Sequence, residues 1–340
     1  MITKEHIGKT SAGEDVHAYT LTNANGLRMR VLTLGGIVTH LEVPDRDGRL
    51  DDITLGLPTL EAYLAGHPYF GALVGRVAGR LPGGKFFAEG REVQLPTNDG
   101  DNHLHGGVHA LDKKVWTAEP VGENALRLRY RSPDGEEGYP GNVDIAVTYT
   151  LNDDNEWVLA YEAVTDKATP FSMTNHAYFN LAGENAGSIA DHLVQIHAER
   201  YVPADKDFTL LDRVEPVNTN DFRTPRRMGD ALDGLAGKHG DNYMLSDEPG
   251  VRPVARVEDP KTGRVLTVTS DAPVLQFYTG VNLTGDDIGK SGRPYLPFSA
   301  LCLECQGYPA GVNDSPIGSI MLHPGERYRQ RTVYAFSVKK

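Results

Sequence analysis

The sequence predicts an all-β protein, a large antiparallel β-sandwich with few short helices. Apolar and polar residues alternate with a period of two along many segments, which is typical of strands with one buried face. Glycine and proline, at 37 and 21 of the 340 residues, supply turn signals between these segments. Helical periodicity is limited to two short stretches, and no repeat, heptad pattern or linker divides the chain. We therefore expect one domain over residues 1–340, made of layered sheets.

The individual strands follow from this alternation. Every second residue from Val143 to Leu151 is apolar, and a turn at residues 152–156 leads into another alternating run. The same reasoning predicts strands at 27–34, 126–131, 143–151, 157–163, 264–270, 274–278, 297–306 and 331–338. The two helical candidates are residues 57–65 and 230–236, each of two or three turns at most.

Charge and composition exclude several classes of protein. The chain has 34 basic and 46 acidic residues and a net charge of -12, which argues against nucleic acid or an anionic membrane as partner. No apolar run approaches the roughly 20 residues that span a bilayer, and the N-terminal segment lacks an apolar signal core. Two cysteines, Cys302 and Cys305, are too few for a disulfide scaffold. We therefore expect a cytoplasmic protein.

The segment Asn-His-Leu-His-Gly-Gly from Asn102 is a first candidate site. On a strand, His103 and His105 share a face, and two adjacent imidazoles are able to ligate a metal. The segment offers no third ligand with metal-like spacing, so hydrogen-bonded loop histidines are the alternative. We expect no metal here.

A second candidate spans residues 170–181. If the segment is extended, Phe171, Met173 and Phe179 lie on one side, opposite a polar face that carries His176 and Tyr178. That polar face is suited to a hydroxyl-rich ligand. A solvent face with one ordinary histidine is equally compatible with the pattern.

A glutamate interrupts an apolar strand near the C-terminus. Glu304 stands between Leu303 and Cys305, just before a Gly-Tyr-Pro turn. Apolar surroundings raise the pKa of a carboxyl group, which suits a general base. An ion pair with an arginine across the sheet is the alternative. Cys302 and Cys305 form C-x-x-C, but on a strand this spacing puts them on opposite faces, which argues against a redox or zinc pair.

A glycine-rich segment covers residues 75–86, without the pattern of a phosphate-binding loop. Its Arg76 and Arg80 offer forked hydrogen bonds to ligand hydroxyls or to carboxylates such as Glu304, and we expect one of the two to be structural. Further along, Asp241 lies in a polar loop. It either accepts ligand hydroxyls or forms a turn, which is the commoner role.

Eight segments, in this order along the chain, resemble the aldose 1-epimerase (galactose mutarotase) family. They are GRVAGRLPGGKF from Gly75, NHLHGG from Asn102, GEEGYPGN from Gly135, TNHAYFNLAG from Thr174, GDNYML from Gly240, LQFYTG from Leu275, LECQGYP from Leu303 and PGERYRQRTVYAFS from Pro324.

The resemblance implies the family's fold and activity. The fold would be a galactose mutarotase-like supersandwich with an open sugar cleft, in a monomer or homodimer. The activity would be interconversion of the α and β anomers of free aldohexoses, without cofactor or metal. By motif, His176 resembles the general acid that protonates the ring oxygen, and Glu304 resembles the general base that removes the proton of the anomeric hydroxyl. His105 resembles a second imidazole near the ring oxygen and the anomeric hydroxyl. The implied sugar contacts are Arg80, Asp241 and Gln276, together with Gly79 and Tyr178.

Three departures from the family pattern affect these sugar contacts. Gly79 stands where the family often has Asn, Asn242 where a His is frequent, and residues 309–311 read Pro-Ala-Gly instead of Pro-Asp-Ala. Each one bears on which sugar is preferred. His103 has no clear family counterpart.

The acid–base interpretation carries electrostatic expectations. An acidic pocket would raise the pKa of His176, while Glu304 stays ionised in the resting enzyme, and the pH profile would be bell-shaped. The alternatives are a glycoside hydrolase, which needs two carboxylates around one bond, a sugar-binding module without activity, and a metal enzyme that uses His103 and His105.

Overall fold

The computed structural model describes residues 1–205, 208–245, 249–312, 315 and 317–340. Strands dominate these residues, which confirms the all-β prediction. Regular α-helix in the described chain is confined to α1 (Leu60–Ala65) and α2 (Met228–Ala231). Short 3-10 turns occur at Pro82–Gly84, Leu111–Lys113, Glu136–Gly138, Leu232–Gly234 and Ala236–Lys238. None of the described helices is long and apolar enough to cross a membrane.

The strands are numbered in chain order. The first fourteen are β1 (Ile2–Lys9), β2 (Asp15–Thr22), β3 (Arg28–Leu32), β4 (Val38–Pro44), β5 (Leu50–Asp52), β6 (Leu73–Val74), β7 (Arg80–Leu81), β8 (Lys85–Ala88), β9 (Arg91–Gln94), β10 (His103–Leu104), β11 (Thr117–Val121), β12 (Ala125–Ser132), β13 (Val143–Leu151) and β14 (Glu156–Thr165). The others are β15 (Thr169–Pro170), β16 (Thr174–Asn175), β17 (Tyr178–Phe179), β18 (Leu193–Ile196), β19 (Arg200–Val202), β20 (Glu215–Pro216), β21 (Arg226–Arg227), β22 (Asn242–Met244), β23 (Arg252–Glu258), β24 (Arg264–Ser270), β25 (Val274–Tyr278), β26 (Leu301–Gln306), β27 (Met321–Leu322) and β28 (Tyr328–Val338).

The predicted strands are confirmed, but the strand predicted at 297–306 begins only at Leu301 and the one predicted at 27–34 covers Arg28–Leu32. The two predicted helices are too long. The first helix begins only at Leu60, because the Thr59 hydroxyl caps it by accepting from the backbone N–H of Ala62 at 3.3 Å. The second, predicted at 230–236, is the single turn α2 followed by 3-10 turns. The segment 170–181, considered above as an extended strand, is not continuous either. Only the end of β15 and the two-residue strands β16 and β17 fall within it.

Three sheets carry most of the strands. The largest has the order β11-β12-β13-β14-β28-β24-β23-β18-β21, the second β17-β26-β25-β22-β19-β20, and the third β1-β2-β3-β4-β5. All of their pairings are antiparallel. The others are two-stranded ribbons, β10-β7, β15-β27, β16-β6 and β8-β9.

The nine-stranded and six-stranded sheets pack face to face. Trp157 on β14 stacks on Tyr334 of β28, with ring centroids 4.8 Å apart. Tyr334 in turn lies 5.4 Å from the ring of Phe179 on β17 and donates to the carbonyl oxygen of Leu303 on β26 at 3.1 Å. This core gives the sandwich its stability, because large apolar and aromatic side chains from both sheets are removed from water.

Alternation along β26 determines which of its side chains face this core and which face the other side of the sheet. Leu301, Leu303 and Cys305 belong to the main core cluster, so Cys302 and Glu304 point to the opposite face of the six-stranded sheet. The neighbouring strands add to that outer face, by the same alternation, Tyr178 on β17, Gln276 and Tyr278 on β25 and Asn242 on β22.

Candidate active site

A polar cleft of about 200 Å³ lies on the outer face of the six-stranded sheet. Loops from other parts of the chain fold over the strands and complete its walls. Its lining includes the acid–base groups His105, His176 and Glu304, the hydrogen-bonding groups Arg80, Asp99, Asn242, Gln276 and Asn282, and the rings of Tyr69, Tyr178, Phe208, His239 and Tyr278.

The imidazole of His176 and the carboxyl group of Glu304 meet in this cleft. His176 Nε2 lies 3.7 Å from Glu304 Oε1, and the two residues are 5% and 1% exposed. On its other side, His176 Nδ1 lies 3.5 Å from Cys302 Sγ. Glu304 Oε2 is buried and has no hydrogen-bond partner among the described residues. The two groups therefore face each other in the cleft, and one carboxyl oxygen receives no hydrogen bond from the described residues.

Burial moves the two pKa values in opposite directions. It lowers the pKa of His176 to about 3, with further lowering from His67, His239 and Arg80. It raises the pKa of Glu304 to about 8, which Arg80 opposes. The expectation of an acidic pocket that raises the pKa of His176 is therefore wrong, because desolvation and neighbouring cationic groups dominate. The expectation that Glu304 is ionised in the resting protein is also wrong, because burial raises the pKa of this carboxyl group even though Arg80 opposes the shift. At neutral pH the pair carries one proton, on the carboxyl group.

His105 enters the same site through an unusual backbone conformation. Its φ is 52°, so the chain turns away from β10 immediately after Leu104. Its Nδ1 accepts a hydrogen bond from the backbone N–H of Gly79 at 3.1 Å. A neutral imidazole whose Nδ1 accepts carries its proton on Nε2. Burial keeps the ring neutral by lowering its pKa well below the usual range. His105 is therefore a hydrogen-bond donor through Nε2.

The predicted pairing of His103 with His105 is wrong. His103 Nδ1 lies 2.6 Å from the carbonyl oxygen of Pro96, and its Nε2 lies 2.7 Å from the hydroxyl of Tyr139. Both nitrogens of this fully buried ring are engaged in protein contacts, so His103 is structural. The shared face assumed an extended chain through both histidines, and the positive φ of His105 breaks it.

The fold brings together a different set of metal-ligand types. One donor atom each from His105, His176 and Glu304 lies within 4.8 Å of the others. However, Nδ1 of His105 is engaged by the Gly79 amide and Nε2 carries the proton, so neither nitrogen has a free lone pair. The arrangement is better suited to moving protons than to holding a cation.

The two arginines of the glycine-rich segment have separate roles, as expected. Arg76 is buried and donates to Ser132 and to the carbonyl oxygens of Pro133 and Pro140. Arg80 lines the cleft, and its Nε donates to a carboxylate oxygen of Asp99 at 2.7 Å. Its fork is thereby held beside the acid–base groups.

The neighbours Asp241 and Asn242 lie in different surroundings: Asn242 lines the cleft and Asp241 does not. Asp241 is not among the residues that line the cleft; its Oδ2 accepts from Asn220 Nδ2 at 3.2 Å, and burial raises its pKa to about 6. Asn242 lines the cleft beside Gln276. The sugar contact implied for Asp241 stays a prediction, and the geometry favours Asn242 at this position.

The other implied sugar contacts, Gly79 and Tyr178, both border the cleft. The Tyr178 hydroxyl donates to the carbonyl oxygen of Pro68 at 2.9 Å, and its ring stacks at 4.9 Å from that of His176. Tyr178 therefore contributes its ring to the cleft wall, because its hydroxyl already donates to Pro68.

Sequence reasoning did not single out several rings of the cleft wall. Tyr69, with a φ of 62°, packs against the rings of both His105 and His176, at centroid distances of 4.7 and 5.8 Å. Phe208 stacks on His239 at 4.2 Å. No local pattern marks these residues, because they reach the cleft from loops that are distant in the chain.

Solved structures identify the class of fold. The sandwich matches the aldose epimerase homologue from C. elegans with a TM-score of 0.89 and 26% identity, covering 99% of this chain and 100% of that one. It matches galactose 1-epimerase from Lactobacillus acidophilus with a TM-score of 0.87 and 28% identity, covering 100% and 99%. The protein is therefore a β-sandwich of the galactose mutarotase-like class, with an acid–base cleft on one sheet.

Comparisons of sequence narrow this class to one family. The model of the aldose 1-epimerase family matches residues 17–335. The human protein named galactose mutarotase is 42% identical over 331 residues, 96% of each chain. The Escherichia coli protein named aldose 1-epimerase is 31% identical over 334 residues, 95% of this chain and 96% of that one. The chain belongs to the aldose 1-epimerase family and is an isomerase of that class.

Proposed function

We propose that this protein interconverts the α and β anomers of free aldohexoses such as glucose and galactose by acid–base ring opening. The observation that carries the proposal is the 3.7 Å approach of His176 Nε2 to Glu304 Oε1 in a buried polar cleft. Mutarotation needs one acid and one base at a single carbon, and this pair provides one of each. The names of the relatives agree with such an activity.

The first step is binding of the closed sugar across the pair. The anomeric hydroxyl donates to Glu304, whose Oε2 has no described partner, and hydrogen bonding to the ionised form lowers the pKa of that carboxyl group. The single proton of the pair then moves to His176. Imidazolium faces the ring oxygen, and carboxylate faces the anomeric hydroxyl.

Ring opening follows by two proton transfers. Glu304 takes the proton of the anomeric hydroxyl, the bond from C1 to the ring oxygen breaks, and His176 gives its proton to that oxygen. The product is the open-chain aldehyde. After rotation about the C1–C2 bond, the two transfers run in reverse and close the ring on the other face of C1. Each positioned proton transfer contributes roughly 10²–10⁴ in rate.

The surrounding groups support this chemistry. His105 offers an Nε2–H donor whose direction is set by the Gly79 amide, so it stabilises charge that develops on a nearby sugar oxygen. Arg80 and Gln276 offer donors to the other hydroxyls. Holding the open aldehyde between these groups keeps it near the geometry of closure.

The carboxylates of the cleft argue against glycoside hydrolysis. Glu304 and Asp99 are the carboxylates among the described lining residues, and Asp99 is bound to Arg80 at 2.7 Å. A hydrolase of the common type needs two carboxyl groups around the scissile bond, and an ion-paired Asp99 is poorly suited to that role.

Proton NMR of freshly dissolved α-D-glucose and β-D-galactose tests the proposal. We expect the wild-type protein to accelerate anomer exchange, Glu304→Gln and His176→Gln each to lose at least about 100-fold, and Glu123→Gln, an exposed control, to retain full rate. Galactose binding without faster exchange would identify a sugar-binding module. Cleavage of an aryl galactoside would identify a hydrolase.

Location and assembly stay predictions. The cytoplasm stays our expected location, on the ground that the chain has only two cysteines. A sugar as partner, and a monomer or homodimer of one domain, remain our proposals.

A further inference from the structure

Asn242 carries a buried acceptor for which the protein supplies no donor. The residue begins β22 at the edge of the cleft and is 7% exposed. Its Oδ1 has no hydrogen-bond partner among the described residues. A buried carbonyl without a donor is destabilising. A ligand hydroxyl at this position would donate the hydrogen bond that Asn242 Oδ1 lacks.

The hydrogen-bond network determines which way the Asn242 amide faces. Gln276 Nε2 lies 2.9 Å from the carbonyl oxygen of Phe277, and only the NH₂ group donates to a carbonyl. Gln276 Oε1 is therefore the acceptor that lies 2.6 Å from Asn242. Asn242 must present Nδ2 to it, and so its remaining group is the acceptor Oδ1.

The strand register aligns this acceptor with the catalytic carboxyl group. Asn242 pairs directly with Gln276, and Gln276 pairs directly with Glu304. Residues that are directly opposite share a face, and adjacent strands lie about 4.8 Å apart. Glu304, Gln276 and Asn242 therefore form a row about 10 Å long. A pyranose with its anomeric carbon at Glu304 reaches past Gln276 toward Asn242.

We propose that Asn242 is a specificity-determining residue whose Oδ1 accepts a hydrogen bond from one secondary hydroxyl of the bound aldohexose. This inference rests on the proposed function and adds a contact to it. It also gives Asn242 the place that the family resemblance implied for Asp241, whose carboxylate is held by Asn220.

Deoxy sugars and Asn242 variants test the contact together. The kinetic parameters kcat and KM for anomer exchange are measured for the wild type, Asn242→Ala and Asn242→Ser. The substrates are glucose and 2-, 3- and 4-deoxyglucose. We expect Asn242→Ala to lower kcat/KM for glucose by about 3- to 10-fold, mainly through KM. For one of the deoxy sugars the wild type and Asn242→Ala should be equal, because the hydroxyl that Asn242 contacts is missing from it.

Two comparisons keep the result interpretable. Asn242→Ser retains a short polar group and should fall between the wild type and Asn242→Ala, and melting temperatures confirm that both variants fold. Asn124→Ala, in the turn before β12, is a matched control that should leave every rate unchanged.

A loss of equal size with all four sugars, or no loss with any, would overturn the assignment of Asn242. If the wild type accelerates exchange of no sugar, the proposed function fails instead. Calorimetric binding of the same four sugars then makes the same comparison, and again equal losses with all of them overturn the contact.

Discussion

Nε2 of His176 lies 3.7 Å from Oε1 of Glu304, inside a cleft that excludes most water from both groups. The pKa of Glu304 is raised to about 8 and that of His176 is lowered to about 3. Between these values the pair holds a single proton. Mutarotation requires that state, in which one partner can give a proton while the other takes one.

The first prediction concerns pH. We expect kcat/KM for anomer exchange to be level through neutral pH and to fall as the pH rises through about 8, where the pair loses its proton. In His176→Gln the residual activity should instead rise through that range, because the remaining base must be ionised. Stopped-flow polarimetry from pH 5 to 10 measures both profiles. A wild-type rate that increases through pH 8 would contradict the shared proton.

The second prediction links Glu304 to stability. The pKa of Glu304 is about 8 in the folded protein, against 4.5 for an ordinary glutamate side chain, so the folded state holds the proton more tightly. Stability is therefore lost as the pH rises from about 4.5 to 8. Glu304→Gln should remove this loss and stabilise the protein by at most about 5 kcal/mol above pH 8, with little gain below pH 5.

Calorimetric melting temperatures between pH 5 and 9 measure the effect, with Glu123→Gln as the exposed control. A gain in Glu304→Gln that does not depend on pH would show that burial does not raise the pKa of this group.

The third prediction concerns Gly79, at the edge of the cleft. Its φ is +85°, and an added Cβ would lie 2.5 Å from Cγ of Pro309. Gly79→Ala should therefore destabilise the protein by about 1–3 kcal/mol beyond the backbone strain and raise KM by moving the cleft wall.

Gly13→Ala is the matched control for this substitution. Gly13 has the same φ of +85° but nothing within 4 Å of an added Cβ, so it reports the strain alone. Equal loss of stability in the two variants, measured by urea denaturation, would argue against a clash with Pro309.

The fourth prediction concerns metals. Because both nitrogens of His105 are engaged or protonated, we expect extensive dialysis against EDTA to leave the rate of anomer exchange unchanged. A loss that added Zn²⁺ restores would instead assign the cluster of His105, His176 and Glu304 to metal chemistry.

Local pattern predicted the strands and the faces they present. The alternation that places Leu301, Leu303 and Cys305 in the core sends Glu304 to the other side, and this required nothing beyond a period of two. The same reasoning separated Cys302 from Cys305. It failed for His103 and His105, because the left-handed backbone of His105 ends the strand between them.

The sequence by itself determined the all-β class, the faces of the long strands and the candidates His176 and Glu304, since each depends on residues close together in the chain. Only the tertiary structure decided that His103 is structural while His105 lines the cleft, that Asn242 rather than Asp241 borders the cleft, and that His176 loses its proton more readily than Glu304. Those outcomes depend on burial and on contacts between residues far apart in the chain, which no local spacing encodes.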